Sequence, residues 1–169
     1  MWNDTDIPLA HLITFRTYGT WLHGDARGST NRFRNKYKSL FLPPDKNWIE
    51  TNQKRLADEP VLLNAEQRNS VERAIRETCV IRKWDLLAIN VRTNHVHSVA
   101  SIGAKKSELA LNAFKANATR EMRKSGFWTS DRSPWADKGS RRNLWNERSV
   151  GLAVEYVVLG QGGELPDFD

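Results

Sequence analysis

Two runs of residues separated by a three-residue gap constrain this chain more than anything else in it. Trp84-Asp85-Leu86-Leu87-Ala88-Ile89-Asn90-Val91 is mostly apolar and fits a central strand. His95 to Ala100 reads as a second strand, its Val96, Val99 and Ala100 suited to a pleated, partly buried backbone. Arg92-Thr93-Asn94 is short enough for a hairpin turn, which sets the two strands antiparallel and adjacent. Side chains on a strand alternate faces, so His95 and His97 point to the same side, one pleat apart. Two imidazoles held this way make a natural pair of metal ligands, although an HxH alone equally describes two histidines on a polar strand face.

The rest of the chain supplies what such a hairpin packs against. His11 to Tyr18 alternates apolar and polar residues and predicts a first strand ending at Gly19. Asn64 is a good N-cap for a helix over Glu66 to Arg82, with Val71, Ala74, Ile75 and Thr78 at helical spacing. Gly103 closes the histidine strand, and Ser107 is the expected N-cap of a second helix reaching about Lys124. That helix has Ala110, Ala113, Phe114 and Ala118 on one face and Lys115, Arg120, Arg123 and Lys124 elsewhere. A fourth strand is expected around Arg141 to Trp145, and Ser149 is the expected cap of a third helix, Val150 to Leu159, stopped by Gly160. The order strand, helix, strand, strand, helix, strand is that of a ferredoxin-like α+β domain, a split βαβ with an antiparallel sheet plus an added C-terminal helix. At 169 residues the default is one domain, 1–169, carrying a long basic loop at about 20–60.

Composition narrows the partner. Hydrophobic residues at 39%, charged residues at 27% and a mean hydropathy of -0.63 describe a globular chain and exclude a membrane protein. No secretory signal opens the sequence, and the single Cys79 can form no internal disulfide, so a cytoplasmic location is expected. A net charge of +6 favours a polyanionic partner. In the long loop Arg27, Arg32, Arg34, Lys36 and Lys38 are interleaved with Phe33 and Tyr37, a mixture suited to phosphate contacts and base stacking, or simply to a solvated basic loop. Lys115, Arg120, Arg123, Arg141 and Arg142 extend the candidate DNA-binding set. Most of the seven Trp are expected in the core.

A metal held by two histidines still needs a nucleophile or an activated water. Tyr156 is the candidate, in the otherwise largely apolar Ala153-Val154-Glu155-Tyr156-Val157-Val158, where a packed structural tyrosine is the competing reading. The pair His95-Val96-His97, followed after a helix by Glu155-Tyr156-Val157-Val158-Leu159-Gly160-Gln161, resembles the HUH single-tyrosine transposases. Within them it is most similar to the REP-associated tyrosine transposases, whose first strand also resembles Thr14-Phe15-Arg16-Thr17-Tyr18-Gly19-Thr20-Trp21. The resemblance implies a metal-dependent endonuclease and strand transferase acting on hairpin-forming, palindromic single-stranded DNA. It further implies that His95, His97 and a third polar side chain hold Mg²⁺ or Mn²⁺, that Tyr156 forms a 5′-phosphotyrosine link, and that the protein is a monomer rather than a homodimer.

This chain departs from that pattern at one place. The REP-associated group usually has an Asn four residues after the tyrosine, where this sequence has Gly160. Gln161 is the nearest substitute, but five residues along a straight helix is roughly 500°, about 140° round from Tyr156. Gln161 is therefore expected as the third ligand only with a bulge or break at Gly160; Glu155 is a poorer candidate. The alternative function is a non-catalytic ferredoxin-like protein that binds hairpin DNA or RNA. A two-histidine phosphoesterase and a zinc hydrolase are disfavoured, because His11 and His23 stand in no comparable motif and no further His or Cys completes a familiar ligand spacing.

Overall fold

The structure, a computed structural model, describes residues 6–20, 59–160 and 166–168. The elements run β1 (Ala10–Arg16), α1 (Ala65–Arg82), β2 (Asp85–Val91), β3 (His95–Ser101), α2 (Ser107–Lys124), β4 (Ser140–Leu144) and α3 (Glu147–Leu159). The four strands form one antiparallel sheet in the order β2-β3-β1-β4, the ferredoxin-like arrangement expected from the element order.

Local chemistry accounts for several boundaries. Asn64 caps α1 in a full capping box: its Oδ1 accepts from the Gln67 amide at 2.8 Å, and Gln67 Oε1 accepts from the Asn64 amide at 2.9 Å. Lys83 ends the helix in the left-handed conformation, φ 59°, its amide bonded back to the last carbonyls. Two expected caps move. Ser107 is the first residue of α2 and extended Lys106 precedes it without a side-chain cap bond, so packing of Ala110, Leu111 and Phe114 fixes that helix start. In α3 the cap is Asn146, whose Oδ1 accepts from the Ser149 amide; the Ser149 hydroxyl donates instead to the Phe168 carbonyl.

The sheet separates two cores. On one face Ile13, Phe15, Val96 and Ala100 meet Val71, Ile75, Phe114 and Met122 of α1 and α2, and Trp135 packs edge-on to Phe15 with ring centroids 4.8 Å apart. On the other, Ala10, Leu12, Ala88, Val99 and Leu144 meet Ala153 and Val157 of α3, with Phe168 buried among them. Each fully buried side chain of this size contributes about 1.5–3 kcal/mol, so the first face carries most of the apolar stabilisation.

β2 is an edge strand, not the central one its apolar run suggested. Its residues are covered by helices rather than by strands on both sides: Leu86, Ile89 and Val91 pack against the larger core and Ala88 belongs to the smaller. A register shift between Leu86 and Ala88 leaves Leu87 exposed. Of the tryptophans among the described residues, Trp84 and Trp135 are buried, Trp128 is partly buried, and Trp145 lies just past β4 and is 51% exposed.

Candidate functional site

The hairpin delivers both histidines to the α3 face. His97 stands opposite Thr14 of β1 and Asn90 of β2, and His95 opposite Arg16, so the alternation brings five residues of three strands into one neighbourhood with Asn94 and Arg92 of the turn. The imidazole rings lie with centroids 4.7 Å apart, and the Tyr156 ring of α3 meets the His97 ring edge-on at 5.4 Å. Residues that are 59 positions apart in sequence thus form a continuous row of three rings, His95, His97 and Tyr156.

Hydrogen bonding fixes how the imidazoles present themselves. His95 Nδ1 is 2.7 Å from Asn94 Oδ1, an oxygen that only accepts, so the proton sits on Nδ1 and the lone pair on Nε2. His97 Nδ1 is hydrogen-bonded to Thr14 Oγ1 at 2.6 Å, which orients the ring. Burial, then the charges of His95, Arg16 and Arg92, push the His97 pKa down to about 3, so this ring is neutral across the physiological range. Two neighbouring imidazoles, each anchored through its Nδ1, are a donor set that fits a divalent ion. No group of three or more His, Cys, Asp or Glu that could hold a metal exists among the described residues, so these two are what that set offers.

Tyr156 is placed by the small core and by two backbone clasps. Ala153 and Val157 bury the inner stripe of α3. Asn90 Nδ2 donates to the Val157 carbonyl at 3.1 Å, and the Gly160 amide to the Tyr156 carbonyl at 3.0 Å, occupying the last turn of a helix that has no basic residue there. Burial raises the Tyr156 pKa and the Arg16 charge opposes the rise, so the phenol is protonated at neutral pH. The helix ends at Leu159 and leaves helical geometry at Gly160, φ -100° and ψ 11°. A Cβ added at Gly160 would lie 3.3 Å from Tyr156 Cα, a tight approach. Gln161 lies outside the described residues, as do Arg27, Arg32, Arg34, Lys36 and Lys38.

The remaining basic candidates fall elsewhere. Lys115, Arg120 and Arg123 are on α2, across the sheet from the histidines. The Lys115 ammonium donates to the carbonyls of Ala136, at 2.9 Å, and of Lys138, and Arg123 donates to the carbonyls of Ser130 and Asp131. These two cations clasp the 127–138 loop, while Arg120 is exposed. On β4 Arg141 is exposed, and the Arg142 guanidinium lies 4.8 Å from the centroid of the Phe168 ring. Thr14, Arg16, Asn90 and Asn94 were not among the sequence candidates. Thr14 and Arg16 repeat the two-residue spacing of the histidines, but only the strand register shows that the two pairs face each other.

The family model described as "Transposase IS200 like" matches residues 57–148, more than half of the chain. The matched stretch holds α1, β2, β3 with both histidines, α2 and β4, and ends eight residues before Tyr156. No curated protein matches the chain. No helix among the described residues is long and apolar enough to cross a membrane.

Proposed function

Because the chain belongs to the IS200-like transposase family, we propose that it is a metal-dependent endonuclease and strand transferase for single-stranded DNA, with Tyr156 as nucleophile. The observation that carries this reading is the 5.4 Å contact between the Tyr156 and His97 rings, which joins a candidate nucleophile to a candidate ligand pair across two elements. His95 and His97, with Gln161, would hold Mg²⁺ or Mn²⁺, whose charge offsets that of the scissile phosphate.

The protein's own groups account for the remaining steps. Tyr156 Oη attacks the phosphorus in line and loses its proton to solvent water; the tyrosine O–P bond forms as the bond from phosphorus to the 3′-oxygen breaks. The 3′-oxygen takes up a proton and leaves as a hydroxyl, and the 5′-phosphotyrosine conserves the phosphodiester for rejoining. Arg16, whose charge already favours the phenolate, offsets negative charge on the attacking oxygen. Asn94 fixes the His95 tautomer, Thr14 anchors the His97 ring, and Asn90 holds the carbonyl next to the nucleophile. The preferred substrate is a hairpin formed by a palindromic strand, bound by a monomer, as in the REP-associated group that the sequence resembles. Arg27, Arg32, Arg34, Lys36, Lys38, Arg120, Arg141 and Arg142 are the phosphate contacts on this reading.

The test is to incubate wild type, Tyr156→Phe and His97→Ala with end-labelled hairpin DNA and Mn²⁺. A denaturation-resistant protein–DNA adduct is expected for wild type alone. An adduct of undiminished yield from Tyr156→Phe would remove the nucleophile assignment, and one unaffected by chelator would remove the metal.

A further inference from the structure

Where β1 ends, the sheet gives way to a cavity of about 630 Å³ that takes no part in the site described above. Its volume falls within the roughly 300–1,000 Å³ usual for small-molecule sites. Three distant stretches of chain wall it: Tyr18 after β1, Glu59 before α1, and the 127–138 loop with Trp128, Arg132 and Asp137, above Lys115 of α2. Backbone bonds hold this frame. The Tyr18 amide donates to the Pro134 carbonyl at 2.8 Å and the Val61 amide to the Tyr18 carbonyl at 2.9 Å. Trp128 Nε1 donates to the Arg132 carbonyl at 2.9 Å, which fixes the edge of the indole.

The cavity is also wired to the histidine face. The amide of Ala136, a cavity residue, donates to the Arg16 carbonyl at 2.9 Å, and Arg16 is the residue whose charge acts on both His97 and Tyr156. The last residue of β1 is thus shared by the two neighbourhoods, its carbonyl bonded to a cavity residue and its charge acting on the histidine face. The wall chemistry suits a base: two aromatic side chains for stacking, the Arg132 guanidinium for a phosphate, and two carboxylates. Carboxylates only accept hydrogen bonds, and they match an exocyclic amino group while opposing a carbonyl edge.

We propose that this cavity seats one unpaired nucleobase of the DNA strand that reaches Tyr156, and that it selects a base with an exocyclic amino group over thymine. The proposal rests on the reading of the partner as single-stranded DNA. It assigns Trp128 and Tyr18 to stacking and Asp137 and Glu59 to the amino group.

Short labelled oligo(dC) and oligo(dT) probe it, since cytosine and thymine are alike in size and differ at this group. Binding is followed by fluorescence anisotropy with full-length Tyr156→Phe protein in chelator at neutral pH, so that no strand is cut. Oligo(dC) is expected to bind about tenfold more tightly than oligo(dT), in keeping with a single base contact. Trp128→Ala should bring oligo(dC) down to the oligo(dT) level, Trp128→Phe should keep most of the gap, and Asp137→Asn should narrow it. Unchanged oligo(dT) affinity in these variants verifies folding. Equal binding of the two strands by the parent, or a gap that survives both Trp128→Ala and Asp137→Asn, overturns the proposal. Wild type with Mn²⁺ separates it from the nucleophile assignment: base preference without any adduct upholds the cavity and overturns Tyr156, and an adduct without base preference does the reverse.

Discussion

The two faces of the sheet are built to different standards. Toward α1 and α2 the core is thick and aromatic, with Phe15, Phe114, Trp84 and Trp135 interlocked and the loop above it clasped by Lys115 and Arg123. Toward α3 it is thin, made of Ala10, Ala88, Ala153 and a few larger side chains, and it gives way at one end to His95, His97 and Tyr156. Small residues let α3 lie close enough for its tyrosine to touch a strand histidine, at the expense of apolar burial. One face holds the fold and the other holds the polar row, so mutations on the two should separate stability from chemistry.

The largest effect expected from this contrast is at Phe114, fully buried between α1, α2 and the sheet. Phe114→Ala should cost about 3–5 kcal/mol in a chemical-denaturation experiment. Tyr156→Phe should cost less than about 1 kcal/mol and yet abolish adduct formation. Comparable losses at the two positions would erase the distinction between the faces.

Acid titration gives the next effect. His97 has a folded pKa of about 3 against an ordinary 6.5, so below pH 6.5 the unfolded chain binds more protons than the folded one. Its contribution is complete above pH 6.5 and is lost as pH falls toward 3, at most roughly 5 kcal/mol over that window. His11, on the other face, is depressed in the same direction, by burial first and with the Arg141 charge adding to it while a hydrogen bond to Asn143 opposes it. Denaturant midpoints recorded in chelator should therefore fall between pH 6.5 and 4 in wild type, and fall less in His97→Gln.

Smaller still is Asn90→Ala, which removes the amide held by the Val157 carbonyl. About 1 kcal/mol of stability should go, together with a larger fractional loss in the rate of adduct formation, because the helix carrying Tyr156 loosens. A rate that follows stability alone would make Asn90 a packing residue. The smallest is Glu121→Ala, which breaks the 2.9 Å pair with Arg73 on the α1–α2 surface and should cost no more than about 0.5 kcal/mol by thermal melting.

Local signals in the sequence reached the local features. The Asn64 cap, the Arg92-Thr93-Asn94 hairpin and the period of α1 all depend on residues within a turn of each other, and the order of elements then predicted the sheet type. Long-range decisions were not legible. β2 reads as central because helices cover its two faces, and covering by helices and flanking by strands leave the same apolar run. Ser107 and Ser149 each have cap chemistry, but the competition with Lys106 and Asn146 is settled by where the helices dock. The site behaves likewise: the spacing of His95 and His97 shows in the sequence, whereas their neighbours Thr14, Arg16 and Asn90 exist only through strand pairing.

The distribution of the two cores along the chain has a consequence for how the molecule is made. Every described member of the larger core lies between Ile13 and Trp135, whereas the smaller one waits for Leu144, Ala153, Val157 and Phe168. Synthesis proceeds from the N-terminus and folding can begin before it ends, so the larger core is available first and the core under α3 last. A product that stops after Trp135 carries both histidines but lacks β4, α3 and, with α3, Tyr156, the proposed nucleophile.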